Sequence, residues 1–496
     1  MKNLLLAFVL CFPILSFSQN NAFYEPHEVD SVAIPRGGYG YLTTFINANL
    51  QIPYMAKVAK VNGYVSLSGV VDEQGKISQI ELIKGIRPDC DKEAIRVFGL
   101  FNAWQAALKG EKGVRQKVFV RIPFKSTENI TFVDGEQLEY FDDNYVPVND
   151  VSKARYVQKI NIDTLTGFAK DNIDFFEIKN NKKEQLVASF VYKTENVPKY
   201  SPQYPDDIND STLQRYTVSY YNAERKKVRE SIIYFLDGTL QLKQAFINGT
   251  PDYPLITYFK NGMVREMTVY TDFEKGLFRK TSWYPNGQML RIVNYEKNAK
   301  APSLIKSFIV NQWNEDGKQI LKDGQGEAVF KTYDDKFHVL IANGNVLNFQ
   351  KDGLWQEKSD DGLITYKEFY KDAKLQNGVS YGVGSDSATY SGDTEVPAEF
   401  KGGIQAFGGF LQRYLNYPSS AQKINAQGSA YVQFVVCTDG SLCDYQVIKS
   451  AGNFALDEEA LRVVKKSSGS WRPGSQRGRK VRARFTIPIN FVIPRY

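Results

Sequence analysis

Two stretches of this chain repeat one pattern of apolar and polar positions. In GGIQAFGGFLQRYL (402–415), Ile404, Phe407, Leu411 and Leu415 recur at helical spacing, and Pro418 stops the run. AYVQFVV then reads as a strand, TDG as a hairpin turn and SLCDYQVI as a second strand. ALDEEALRVV (455–464) predicts a second helix, with Ala460, Leu461 and Val464 on its apolar face and Asp457 in the N-cap role. KVRARFTIPINFVI follows, alternating from Val481 to Phe485 as a strand does. Sliding the chain on itself by 365 residues lays Gly37-Gly38 on Gly402-Gly403, Phe45 on Phe410, Pro53 on Pro418, Gly63 on Gly428 and Gly75 on Gly440. One further residue of shift brings DCDKEAIRVF (89–98) onto ALDEEALRVV, with Asp91 as the matching N-cap. A single offset held over that length marks two copies of one domain, of ordinary domain size. Each is α+β, with an antiparallel sheet and helices on one face. The duplicated Asp-x-Glu-Ala-x-Arg-Val string needs no chemistry to explain it and reads as helix packing and capping, with the Arg exposed.

Between the copies the period changes. Aromatics precede Asn-Gly or Asp-Gly in YFLDG, YFKNG, WYPNG and WNEDG, ending at Gly238, Gly262, Gly287 and Gly317, and alternating runs such as MVREMTVY follow. These are hairpins in series, each presenting aromatics to its neighbours. Two polar stretches, 199–211 and 382–395, read as linkers. The expected division is an N-terminal segment 1–19, a domain over 30–126, an all-β hairpin array over 127–390 and a second domain over 391–496.

The segment MKNLLLAFVLCFPILSFSQN changes the picture from any soluble protein to an exported one. Its apolar run is too short to span a bilayer as a helix, and it reads as a signal peptide cleaved near Ser18 or Gln19, with a retained anchor as the alternative. Export implies an oxidising compartment, in which Cys90, Cys437 and Cys443 remain. Cys437 and Cys443 flank the TDGSL turn. They face each other if the loop is 439–441 and lie diagonally on one face if it is shifted by one; both placements are compatible with a disulfide, and two unbridged half-buried residues are the alternative. A net charge of +7 over 496 residues gives no reason to expect nucleic acid. His27 and His338 are far apart, so zinc and His-based triads have no support, and no metal or small-molecule cofactor is expected. The acid pairs Asp142-Asp143 and Asp360-Asp361 lack the spaced oxygens of a calcium loop and read as solvated turns.

In EVPAEFKGG, YLNYPSSAQ, GSAYVQFVVCTDG, LDEEALRVV, WRPGSQRGRKV and TIPINF, residues 395–493 resemble the TonB C-terminal domain family. Residues 30–125 resemble it through GG, IPYMAKV, VVDEQGKI and DKEAIRVF but lose the Trp-x-Pro-Gly motif, since Trp104 precedes QAALKG. The array over 215–380 resembles degenerate MORN-type repeats. The TonB resemblance implies a non-enzymatic domain in the periplasm or envelope of a Gram-negative bacterium. It implies binding of envelope proteins, TonB-dependent outer-membrane transporters among them, by addition of a partner strand to the sheet edge. Two such domains around a repeat array read as a bivalent adaptor. The strand from about Lys480 to Val492 is then the receiving edge, usable over Val481–Thr486 because Pro488 lacks an N–H. Arg482 and Arg484 would steer an acidic or polar segment onto it, with Trp471 as an apolar anchor and Arg472 beside it; the other reading of those arginines is protection of an exposed edge. The alternative functions are an envelope scaffold or peptidoglycan-binding protein acting through the repeats, and a cell-wall hydrolase. The chain carries no phosphate loop and no His-rich metal site for the last.

Overall fold

The computed structural model describes residues 23–179, 184–197, 215–298, 301–333, 339–382 and 386–493. The expected signal peptide, the 199–211 linker and His338 lie outside them. No helix among the described residues is long and apolar enough to cross a membrane. The chain divides into two compact units.

The first unit holds the N-terminal domain. Its elements are α1 (Tyr39–Asn49), α2 (Tyr54–Val58), β1 (Asn62–Val71), β2 (Ile77–Lys84), α3 (Pro88–Leu100) and β3 (Gln116–Lys125), and its sheet runs β2-β1-β3, all antiparallel. The second unit repeats the order with α4 (Gly403–Tyr414), α5 (Ser419–Lys423), β4 (Gly428–Val436), β5 (Leu442–Lys449), α6 (Phe454–Lys466) and β6 (Ala483–Phe491), in a sheet β5-β4-β6.

The duplicated string acts as a clamp in both copies. Arg96 Nε meets Glu93 Oε2 at 2.6 Å, Arg96 Nη2 donates to the carbonyl of Asn49 at 2.6 Å, and Glu93 Oε1 accepts the N–H of Gln51 at 2.5 Å. Arg462, Glu459, Tyr414 and Asn416 repeat this arrangement. The pair thus ties the end of the domain's first helix to its last helix, and the Arg is fixed rather than free. Asp91 and Asp457 are not N-caps. Arg87 and Asn453 hold those positions, and the two aspartates sit a turn inside, accepting from the preceding loop at Ile86 N–H and at Ala451 N–H.

Trp104 keeps the core place of Trp471 although its motif is lost. Each Trp carbonyl abuts the glycine of the β1–β2 or β4–β5 turn. A Cβ on Gly75 would fall 2.0 Å from the Trp104 oxygen, and on Gly440 2.5 Å from the Trp471 oxygen; both glycines have positive φ. Only glycine fits there.

In the first unit, strands from Tyr156–Ile162 to Met289–Asn298 pair each with the next, antiparallel. The Gly238, Gly262 and Gly287 turns each close with the glycine N–H bonded to the carbonyl three residues back. The N-terminal domain is fused to this array: its core cluster includes Met263, Trp283, Met289 and Trp313, Asn49 Oδ1 accepts the buried Val264 N–H at 2.7 Å, and the Gly287 turn rests on Phe45 and Phe101. In the second unit, strands from Gln325–Tyr333 to Ser387–Tyr390 pair in the same serial way. The 382–395 stretch is therefore not a plain linker: it contains the last array strand, and Glu395–Val396 pairs with Gly474–Gln476. The C-terminal domain's core cluster is drawn wholly from residues 398–491.

Candidate functional site

The residues expected to receive a partner do not form one surface. The expected continuous strand from Lys480 divides: Arg479–Val481 forms a small hairpin with Gly474–Gln476, in which Val481 faces Gly474, and β6 begins at Ala483. Trp471 is no surface anchor. It is 4% exposed, its ring stands 5.2 Å from that of Phe434 and 5.3 Å from that of Phe485, and its indole N–H donates to Ser467 Oγ at 3.1 Å. It backs β6 from beneath, because alternation turns Phe485 and Ile489 inward. Arg472 is occupied elsewhere, paired with Glu399 at 2.8 Å.

Arg484 and Thr486 lie together on the exposed face of β6, and Arg482 just before its start. Arg482 Nη2 meets Asp444 Oδ2 at 2.6 Å, and both side chains are more than half exposed, so the pair contributes little stability. Arg484 is exposed and has no acidic partner among the described residues. Thr486 sits opposite Gln433.

β6 pairs with β4 in unbroken register from Ala483 to Phe491, and no strand among the described residues pairs with its outer side. The N-terminal copy shows which groups point out. There Lys117 faces Val70 across β1, as Arg484 faces Val435 across β4. The Lys117 N–H turns away from β1 and donates to the carbonyl of Tyr24 at 2.9 Å, while the Tyr24 N–H donates to the carbonyl of Arg115 at 2.9 Å. The segment at Tyr24 thus sits parallel on the outer edge of β3, helped by Lys109 over the Tyr24 ring at 4.2 Å. By the alternation of an antiparallel ladder, the N–H groups of Arg484 and Thr486 face outward. Pro488 interrupts that row.

The opposite edges are different. Register shifts interrupt the pairing of β2 and of β5 with their neighbours, and Gln79 in β2 and Asp444 in β5, at matching positions, have left-handed φ values of 48° and 53°. Such bulges twist an edge away from further pairing.

Cys437 and Cys443 form a disulfide. The loop between their strands is 438–440, since the Cys437 N–H donates to the Ser441 carbonyl and Cys443 faces Val435, so the two lie diagonally. Cys90 is a free, fully buried thiol, and burial pushes its pKa up to about 11. Sequence reasoning missed the Tyr24 segment and Asp444. The 365-residue offset, which aligns Gln79 with Asp444, held no trace of backbone conformation at either.

No curated protein matches the chain. The NMR solution structure of the Helicobacter pylori TonB C-terminal domain resembles 19% of this chain and 82% of its own, at 24% identity and a TM-score of 0.17. Residues 48–126 and 413–493, one stretch in each copy of the duplication, match the family of the Gram-negative bacterial TonB protein C-terminal, a non-enzymatic protein-interaction domain.

Proposed function

We propose that this is an exported cell-envelope protein that captures an extended segment of a partner protein along β6 of its C-terminal domain. The observation that carries the reading is the contrast between the two edges. On β3 a segment of the same chain already takes the outward groups, and on β6 the equivalent groups have no taker among the described residues. Main-chain pairing of this kind tolerates varied partner sequences. Arg484 gives the edge a cation that favours an acidic or polar segment. The family match supports partners among envelope proteins, TonB-dependent outer-membrane transporters included, and a place in or alongside TonB-type energy transduction. On this reading the MORN-like array is a spacer and the protein offers one open acceptor edge rather than two.

Photo-crosslinking in intact envelopes tests it, with probes placed in the full chain at 484 and 486 and, separately, in the array over 215–298. Capture of a partner from 484 and 486 is expected. Capture only from the array would sink the edge reading and leave the array as the binding surface.

A further inference from the structure

Within the first unit, one face of the hairpin array meets the N-terminal domain. At Ile256, Met267 and Ile292 the two are packed together. Over the earlier strands they diverge, leaving a cavity of about 1080 Å³ between the α1–α2 region and the array. That is at the upper end of small-ligand pockets and exceeds what a single sugar ring or a simple ion needs.

Its array wall carries tyrosines on adjacent strands, set among Ile160, Ile173, Val218 and Ile232, with Asp163 also lining it. Tyr216 lies opposite Tyr234 with rings stacked at 5.3 Å, and Tyr192 lies opposite Tyr220 with rings edge to face at 5.7 Å. Tyr54 covers it from the other side. Two of these phenols are satisfied internally: Tyr220 donates to the Ala169 carbonyl at 2.9 Å and Tyr54 to Gln137 Oε1 at 3.0 Å. The hydroxyls of Tyr192, Tyr216 and Tyr234 have no protein partner among the described residues. Burial raises the Tyr234 and Tyr220 phenols above their ordinary value, so they remain neutral donors. Cations stand around this wall. Lys57 and Lys243 are committed to Glu128 and Glu230 at 2.8 and 2.9 Å. Among the described residues, Lys170 and Arg229, both exposed, have no carboxylate partner, and Arg229 donates to the neutral Gln158 Oε1 at 3.0 Å.

An acyl chain here would leave three phenol hydroxyls dry and unpaired, which is costly. A simple anion would leave the aromatic faces bare. A ligand with apolar ring faces, many acceptors and a negative charge can use the aromatic faces, the phenols and the two cations together. We propose that this cavity binds an acidic oligosaccharide, with sugar rings against Tyr216 and Tyr234, sugar oxygens accepting from the free phenols, and a carboxylate at Arg229 and Lys170. This is independent of strand capture at β6.

Isothermal titration of the full chain with the N-acetylglucosamine–N-acetylmuramic acid disaccharide, which carries a carboxylate, and with the neutral N,N′-diacetyl form of chitobiose tests the proposal. The muramyl sugar is expected to bind more tightly. Tyr216→Phe and Tyr234→Phe keep the rings and should each weaken it about five-fold, the size of one lost hydrogen bond. Arg229→Gln should weaken the muramyl sugar and leave chitobiose unchanged. Unaltered far-UV circular dichroism and thermal melting would show that the variants fold. The proposal falls if neither sugar binds, if chitobiose binds as tightly as the muramyl sugar, if the phenylalanine variants bind like the parent, or if a fluorescent fatty acid fills the site in the sugar's place.

Discussion

The Glu368 carboxylate, with a side chain sealed from solvent, receives the Nε–H of Arg477 at 2.9 Å, and the two come from an array strand and from the tip of the small hairpin in the C-terminal domain. Tyr370 and Tyr390 donate to the same carboxylate at 2.9 and 2.8 Å, and the guanidinium lies 3.8 Å over the Tyr366 ring. Arg479 adds an ion pair to Asp386 at 2.7 Å. The hairpin tip is thus an ionic plug into the last array strands.

Breaking this pair from its two ends should not be symmetrical. Arg477→Met leaves a sealed, charged Glu368 whose one remaining cation among the described residues is Lys351 at 3.9 Å, and should destabilise the second unit by about 3 kcal/mol. Glu368→Gln leaves a guanidinium that is 31% exposed and should cost clearly less. Urea unfolding followed through the buried Trp355 measures both, and equal costs would contradict the account.

The two copies should differ as isolated fragments. Residues 391–496 contain their whole core cluster and should melt cooperatively, though at lower temperature than in the full chain, having lost Glu368 and Asp386. Residues 23–126 would expose the surfaces that meet Met263, Trp283 and Trp313, and should melt without a sharp transition. Circular dichroism melts of both fragments check this. A cooperative 23–126 fragment would show that the fused core is dispensable.

Opening or closing an edge should change capture in opposite directions. Arg484→Pro removes an outward N–H without touching the β4 ladder, and should abolish capture while the fold persists. Arg484→Gln should weaken capture mildly and flatten its salt dependence, whereas Arg482→Gln, which removes a cation already paired with Asp444, should do less. Deleting residues 23–25 should uncover the Lys117 N–H and raise partner stoichiometry from one toward two per chain. Analytical ultracentrifugation of the complexes would read the count. A stoichiometry that stays at one would mean the β3 edge is not an acceptor.

The disulfide should matter little to the fold. The N-terminal copy has Asp72 and Ser78 where the C-terminal copy has Cys437 and Cys443, and it closes the same turn without a bridge. A loop this short is worth about 2 kcal/mol in chain-entropy terms. Calorimetry with and without reductant should lower only the C-terminal domain's transition. Cys90, whose raised pKa disfavours the thiolate, should resist alkylation at pH 8 until the protein unfolds. Loss of the C-terminal fold on reduction, or ready alkylation of native Cys90, would refute these expectations.

What the sequence revealed is what depends on short range. Asp-Gly and Asn-Gly turns fix hairpins locally, and a fixed offset between two similar stretches shows duplication without any contact being known. The Glu93 and Glu459 clamps were half visible: the string was plain, but its acceptors, Asn49 and Tyr414, lie on the other helix. The remainder depended on distant partners. Nothing in WRPGSQRGRK says that Arg477 meets a glutamate 109 residues earlier, while Arg484, two residues past Arg482, has no acidic partner among the described residues. Trp471 stands beside a basic run, as a surface anchor would, and only the packing of Phe400, Phe407 and Phe434 around it puts it inside.

The Tyr24 contact also governs how many molecules can join. A loose 23–25 segment would be a donor strand, and the β3 edge it left would be an acceptor, so each chain could feed the next in a head-to-tail filament with no closing symmetry. Seating the segment on its own β3 cancels donor and acceptor together. With β2 and β5 spoiled by their left-handed residues, β6 is left as the open edge of the two three-stranded sheets among the described residues, and the proposed capture there would cap a partner rather than polymerise with it.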